Sequence, residues 1–236
     1  MAKESVEGEV KTRLVPPLSF AEAAAFNTAC LLDVAENLCA AAGQVPIAPV
    51  AAYSPSGAER FFAGLLPPEV TLLPPRESSL GRSLHHAARD LVAAGYGAVC
   101  LVNADSPTLP TEIIVAAARR LAEPGDRVVL GPAADGGYYL IGFKGFHPRL
   151  FEEIDWSTER VFRQTIARAE ELGLEPVTLP QWYDVDDGET LALLGGELFG
   201  PGGRWRGGFA APATARLLRD LAVSNDGLRQ LLGLAV

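Results

Sequence analysis

Four acidic residues and one basic pair carry the side chains best suited to chemistry in this chain. Asp105 lies in AVCLVNADSPTLP (98–110), just beyond the apolar run Ala98–Val102. Such a run is the pattern of a buried strand, and open α/β sheets bind ligands just past the carboxyl ends of their strands. Far along the chain, WYDVDD (182–187) packs Asp184, Asp186 and Asp187 into four positions. Their mutual repulsion calls for solvent or a cation, and in an extended segment Asp184 and Asp186 share one side. Hard carboxylate oxygens of this kind suit Mg²⁺ or Mn²⁺. The alternative is a solvated loop in which Asp186 or Asp187 caps the next helix.

The cations come from the start of the chain, where Lys3, Lys11 and Arg13 crowd a segment loosened by Gly8. Glu4, Glu7 and Glu9 are interleaved with them, so composition alone reads this stretch as a solvated, charge-balanced terminus. Asp135-Gly136-Gly137 within GPAADGGYYLIGF is a turn signal. It reads either as a plain hairpin tip or as a pocket floor where backbone N–H groups approach a ligand closely. Asp135 itself could serve as a base on the acceptor side or only shape the turn. In WSTER, Ser157 or Thr158 reads from pattern as a helix N-cap. His85 and His86 are adjacent on a predicted helix and point in different directions, so they form no two-ligand pair.

The totals exclude several classes. The 236 residues are 48% hydrophobic and 21% charged, an ordinary globular composition with room for a large core. A formal charge of −9 argues against nucleic-acid binding. No apolar run reaches the ~20 residues a membrane span needs, and MAKESVEGEVKTRL lacks the apolar centre of a secretory signal. The three cysteines, Cys30, Cys39 and Cys100, have no zinc spacing and read as thiols of a cytoplasmic protein. GxGxxG, GxxxxGKS/T and GxSxG are all missing, which removes the main support for dinucleotide oxidoreductases, P-loop NTPases and α/β-hydrolases.

The elements that must position these residues follow from periodicity. Ser19-Phe-Ala-Glu22 is a capping box opening a helix to about Ala42, with Phe26, Cys30, Leu31, Val34 and Leu38 on one face. Strands are predicted at Pro49–Tyr53, Val70–Leu73, Ala98–Val102, Arg127–Leu130, Tyr138–Phe143 and Glu175–Leu179. Helices are predicted at Glu59–Leu65, Leu80–Ala94, Thr111–Ala122 (capped by Thr111), Glu159–Leu172 and Glu189–Phe199. A short helix or turn is predicted at Pro148–Ile154. The glycine-rich GGELFGPGGRWRGG (195–208) reads as a linker. A helical tail (212–236) then breaks near Asn225–Gly227, and its leucines need either the core or a second subunit. The alternation predicts a largely parallel α/β sheet.

Taken in order, VKTRL (10–14), SLGRSL (79–84), NADSPTLP (103–110), LGPAADGGYYLIGF (130–143), WSTERV (156–161) and YDVDD (183–187) resemble a bacterial family of nucleotide-diphospho-sugar transferase-like proteins. The family is also known as a conserved domain of unknown function or as glycosyltransferases linked to arsenosugar biosynthesis. It is distantly similar to phospholactate guanylyltransferases and molybdenum-cofactor nucleotidyltransferases. The resemblance, over roughly residues 1–195, implies a GT-A Rossmann-like three-layer sandwich over 1–198, a linker at 199–211 and a helical extension at 212–236.

By position, the resemblance makes Asp105, Asp184 and Asp186 metal ligands. It places Gly8, Lys11 and Arg13 at nucleotide phosphates, and Gly136, Gly137 and Ser157 on the acceptor side. It implies Mg²⁺ or Mn²⁺ and glycosyl transfer from a nucleotide-activated small molecule, with Asp105 and Asp135 as the catalytic candidates. Guanylyl or cytidylyl transfer to a small phosphorylated acid, and a non-catalytic nucleotide-binding or assembly module, are the alternatives. A homodimer through the C-terminal tail is a further expectation.

Three departures stand out. The family's Ala-Pro-x-Pro-Gly lead-in is here Glu4-Ser-Val-Glu-Gly8, and Asp187 replaces the usual Thr after the late Asp-x-Asp. The family's first apolar strand has no counterpart before Lys3, which predicts a natural start some 5–10 residues upstream, about the length of one strand.

Overall fold

The computed structural model describes residues 1–76, 79–200 and 207–234. In chain order the elements are β1 (Ala2–Lys3), α1 (Phe20–Ala42), β2 (Val50–Ser54), α2 (Glu59–Leu65), β3 (Thr71–Leu73), α3 (Leu80–Ala93) and β4 (Ala98–Val102). They continue with α4 (Thr111–Ala122), β5 (Arg127–Pro132), β6 (Tyr138–Lys144), α5 (Val161–Glu171), β7 (Glu175–Thr178), α6 (Gly188–Phe199), α7 (Pro212–Ala222) and α8 (Asp226–Leu231).

The architecture is α/β in three layers, and alternation along the strands shows it directly. On β5, Val128 and Leu130 join the core beneath α3 and α5, whereas Val129 joins the core beneath α1 and α4. A strand with successive side chains in two different cores is covered on both faces. The capping box of α1 forms as predicted: Glu22 N–H donates to Ser19 Oγ, and Ser19 N–H to Glu22 Oε2. Phe26 and Cys30 on that helix are fully buried.

Strand pairing departs from a purely parallel sheet. A three-stranded parallel sheet has order β1-β2-β3, and a four-stranded one has order β4-β6-β5-β7. In the second sheet β6 runs antiparallel to both β4 and β5, while β5 and β7 are parallel. The antiparallel pair β5–β6 is a hairpin joined by the Asp135-Gly136 turn, and a hairpin cannot pair parallel. The two sheets meet where the Met1 ammonium donates to the Val102 carbonyl at 3.0 Å. The first strand, expected to have no counterpart, is present as two residues paired with Tyr53 and Ser54.

Several local expectations are corrected. Thr111 is the first residue of α4 and donates to Asn37 Oδ1 instead of capping. Neither Ser157 nor Thr158 caps α5, which begins at Val161 after Arg160; the Thr158 hydroxyl instead donates to the Asp155 carbonyl within the preceding turn. Gly195 and Gly196 belong to α6, where Gly195 lets the Leu232 backbone approach closely, so the linker cannot start there. The stretch 201–206 of that linker lies outside the described residues.

The tail packs on its own chain. Asp33 of α1 accepts from the Ala213 and Thr214 N–H groups at 2.9 and 2.7 Å, satisfying the open N-terminus of α7. Leu218, Leu228 and Leu232 are buried in the core that holds Phe26 and Leu191. The apolar face expected to seek either the core or a second subunit is thus covered by the core.

Candidate active site

Asp105 follows β4 on the turn 103–106, and its backbone carbonyl accepts from Val185 N–H at 2.9 Å. That bond clamps the acidic segment 183–187 beside the end of β4, joining residues eighty positions apart. On the other side, Lys11 adopts a left-handed backbone conformation (φ 49°) ahead of the short 3₁₀ turn Thr12–Leu14. A non-glycine residue rarely takes this conformation. Here it aims the side chain inward, where only 5% of it is exposed.

The Lys11 ammonium is bracketed by acceptors. It pairs with Asp105 Oδ1, lies 2.9 Å from Asp186 Oδ1 and donates to the Val185 carbonyl at 2.8 Å. Burial by itself would lower its pKa. The charges of Asp105 and Asp186 outweigh that and hold it above its ordinary value. Arg13, two-thirds exposed, reaches the other Asp186 oxygen at 2.8 Å. The basic pair that composition alone assigned to a solvated terminus is therefore locked to the acidic centre.

Arg13, Asp105 and Asp186 border one cavity of about 560 Å³, together with Asp135, Gly137, Ser157 and Asp184, and Lys11 is buried behind them against Asp105 and Asp186. Burial pushes the Asp184 carboxyl up to about 6, reinforced by the negative charges of Asp135, Asp186 and Asp105. Asp187 turns away: its carboxylate caps α6 by accepting from Thr190 N–H at 3.0 Å, which holds its pKa below the ordinary value. Of the two capping candidates, Asp187 takes the role and leaves Asp186 to the site.

The remaining predicted residues divide. Asp135 faces the cavity but also accepts from Gly137 N–H at 2.8 Å, so it shapes the turn as well. Gly136 (φ +92°) serves packing, since a Cβ there would meet the Glu159 carbonyl at 2.5 Å. Ser157 lies on the cavity wall with φ 63°. Gly8 turns the chain before Lys11 (φ +76°) and is not among the residues lining the cavity.

Sequence reasoning missed three wall residues. Asn103 Oδ1 and the Tyr138 hydroxyl are buried at the cavity with no hydrogen-bond partner among the described residues. Leaving such atoms unpaired is costly, so they are candidates for bonding a ligand. Trp156 packs against Gly81, where a Cβ would lie 2.1 Å from its Nε1. The glycine within SLGRSL was the available signal, read only as a helix residue.

The donor chemistry suits a hard divalent cation: Asp105, Asp184 and Asp186 present carboxylate oxygens at one cavity. As placed, no three His, Cys, Asp or Glu side chains among the described residues converge on one metal position. Lys11 stands between Asp105 and Asp186 instead.

No curated protein matches this chain. A solved structure from Desulfovibrio desulfuricans G20, described as a "putative nucleotide-diphospho-sugar transferase", is similar with a TM-score of 0.79 and 29% identity. The match covers 98% of this chain and 95% of that one. A family model described as "uncharacterized protein conserved in bacteria (DUF2064)" matches residues 37–158, more than half of the sequence and spanning β2 through the Ser157 turn. The chain belongs to this bacterial family.

Proposed function

We propose that this protein is a transferase that takes a nucleotide-activated small molecule, a nucleotide-diphospho-sugar, into the cavity beyond β4. One observation carries the reading. Three separate stretches of chain bring Asp105, Asp184, Asp186 and Arg13 to the wall of a single 560 Å³ cavity, with Lys11 paired to Asp105 and Asp186 behind it. The similarity to the Desulfovibrio desulfuricans protein supports it.

Arg13 is the exposed cation and would pair with a phosphate oxygen, stabilising negative charge as the nucleoside diphosphate leaves. Lys11 holds Asp105 and Asp186 in place, so that their oxygens stay ordered at the cavity edge. Asp105, Asp184 and Asp186 would hold Mg²⁺ or Mn²⁺, which when bound supplies positive charge to the diphosphate. Asn103 and Tyr138 offer a hydrogen-bond acceptor and a hydroxyl on the wall. Asp135, which lines the cavity and accepts from Gly137 N–H, would take a proton from an acceptor hydroxyl.

A thermal-shift screen of nucleotide sugars, each with and without Mn²⁺, tests the reading. Stabilisation by one nucleotide sugar that grows with Mn²⁺ is expected. Equal melting temperatures across the whole panel would refute it.

A further inference from the structure

We propose that the acceptor taken by this site is an uncharged hydroxyl compound with an apolar ring face, and that phosphorylated or carboxylate-bearing acceptors are disfavoured; the inference rests on the nucleotide-sugar reading above. Three observations lead there. The first is charge. Asp105, Asp135, Glu159, Asp184 and Asp186 all line the cavity, against a single cationic side chain, Arg13. Arg13 is bonded to Asp186, and the Met1 ammonium is taken by the Val102 carbonyl at 3.0 Å. The part of the cavity bounded by the β5–β6 turn and the turn before α5 holds the exposed Asp135 and Glu159, and the described residues that line it there supply no cation. An anion placed there meets like charge in a partly enclosed space, where water screens it less than in bulk.

The second observation is an apolar wall. Leu80 and Leu84 of α3, Tyr138 and Trp156 line the same cavity. The rings of Tyr138 and Trp156 meet edge to face with centroids 6.4 Å apart, and Trp156 rests on Gly81 of α3. Leu80 stays 51% exposed, a large apolar side chain left uncovered beside these rings. Such a wall rewards the C–H face of a ring and offers nothing to a hydrated phosphate.

The third observation is a pair of buried polar atoms. Asn103 N–H donates to the Tyr139 carbonyl at 2.9 Å, which seats Asn103 beside Tyr138 where β4 and β6 part. Asn103 Oδ1 and the Tyr138 hydroxyl have no partner among the described residues. A neutral hydroxyl group serves both, donating to Asn103 Oδ1 and accepting from Tyr138. A fully ionised phosphate or carboxylate has no proton to donate and leaves Asn103 unpaired. In transfer, the acceptor oxygen bonds the anomeric carbon. The bond from that carbon to the diphosphate oxygen breaks with its electron pair kept by the nucleoside diphosphate, and the hydroxyl proton passes to the Asp135 carboxylate.

The test uses the full chain with Mn²⁺ and the nucleoside diphosphate picked out by the thermal-shift screen, so that the phosphate-binding end is filled. Phenyl glucoside, phenyl galactoside and phenyl mannoside are titrated by calorimetry, each beside its 6-phosphate. At least one neutral glycoside is expected to bind, at least about 10-fold more tightly than its 6-phosphate. Tyr138→Phe should weaken that glycoside about 5-fold without lowering the melting temperature, because it deletes a hydroxyl that the fold itself leaves unpaired. Glu159→Lys should cut the preference to about 3-fold or less. With the nucleotide response intact, equal or tighter binding of the 6-phosphates, no binding of any neutral glycoside, or glycoside binding unchanged in both variants would overturn this inference alone. Absence of any nucleotide response would overturn the underlying reading and this inference with it.

Discussion

Replacing Lys11 with methionine probes the acidic centre more sharply than removing any single acid. The change keeps an unbranched apolar stem and deletes an ammonium that is 95% covered and bonded to Asp105, Asp186 and the Val185 carbonyl. Breaking a fully buried pair costs about 3–5 kcal/mol, because the partner is stranded without compensation. Here Asp105 and Asp186 are 39% and 36% exposed, so water can rehydrate them. The expected loss is therefore nearer 2–3 kcal/mol, with rim exposure discounting the Coulomb part. For a chain of this size that lowers the melting temperature by roughly 4–12 °C.

Two carboxylates now face each other without their cation, so a divalent ion should recover more stability in Lys11→Met than in the natural sequence. Differential scanning calorimetry with and without millimolar Mn²⁺ measures both effects. An unchanged melting temperature in Lys11→Met would refute the bracketing role of Lys11. An equal Mn²⁺ increment in both proteins would refute the account of the charge.

Other consequences follow from single residues. Asp184 has a folded pKa near 6 against an ordinary 3.8, so the folded state binds the proton more tightly than the unfolded one. Its contribution to stability is greatest below about pH 4 and is lost as pH rises through about 6. Two pKa units correspond to at most about 3 kcal/mol, reduced to about 1–2 for a half-buried group. Asp184→Asn should flatten that part of a urea-denaturation pH profile, and an unchanged profile would contradict the assignment. Gly81→Ala drives a Cβ into the Trp156 indole; overpacking of this kind costs about 1–3 kcal/mol, and Trp156 fluorescence should shift with it. Leu218→Ala should cost about 2–5 kcal/mol through a cavity in the shared core. Sedimentation should show the same mass as the natural protein if the tail serves the core alone.

Much of the scaffold was legible because it depends on local signals. The extents of α2 and β4 match their sequence patterns residue for residue, and the α1 capping box is written in Ser19 and Glu22. What escaped depends on which strands meet. Nothing near Lys11 announces that its left-handed backbone carries the ammonium to Asp105, 94 residues away; only the family resemblance pointed to the pair. The antiparallel course of β6 follows from the hairpin that the Asp135-Gly136 turn signal allowed within a largely parallel sheet. Gly81 and Gly136 look like ordinary helix and turn glycines until Trp156 and Glu159 are packed on them. No local pattern singles out Asp33, which accepts from the N–H groups at the start of α7.

The central claim is that Asp105 and its neighbours hold a divalent cation against a nucleoside diphosphate. Titrating Mn²⁺ into the full chain by electron paramagnetic resonance, with a nucleoside diphosphate present, tests it most directly. The account predicts that the nucleotide tightens Mn²⁺ binding and that Asp105→Asn weakens it by at least about 10-fold, with the folded circular-dichroism spectrum retained. Nucleotide binding of equal strength in excess chelator, with Mn²⁺ affinity untouched by Asp105→Asn, would contradict it.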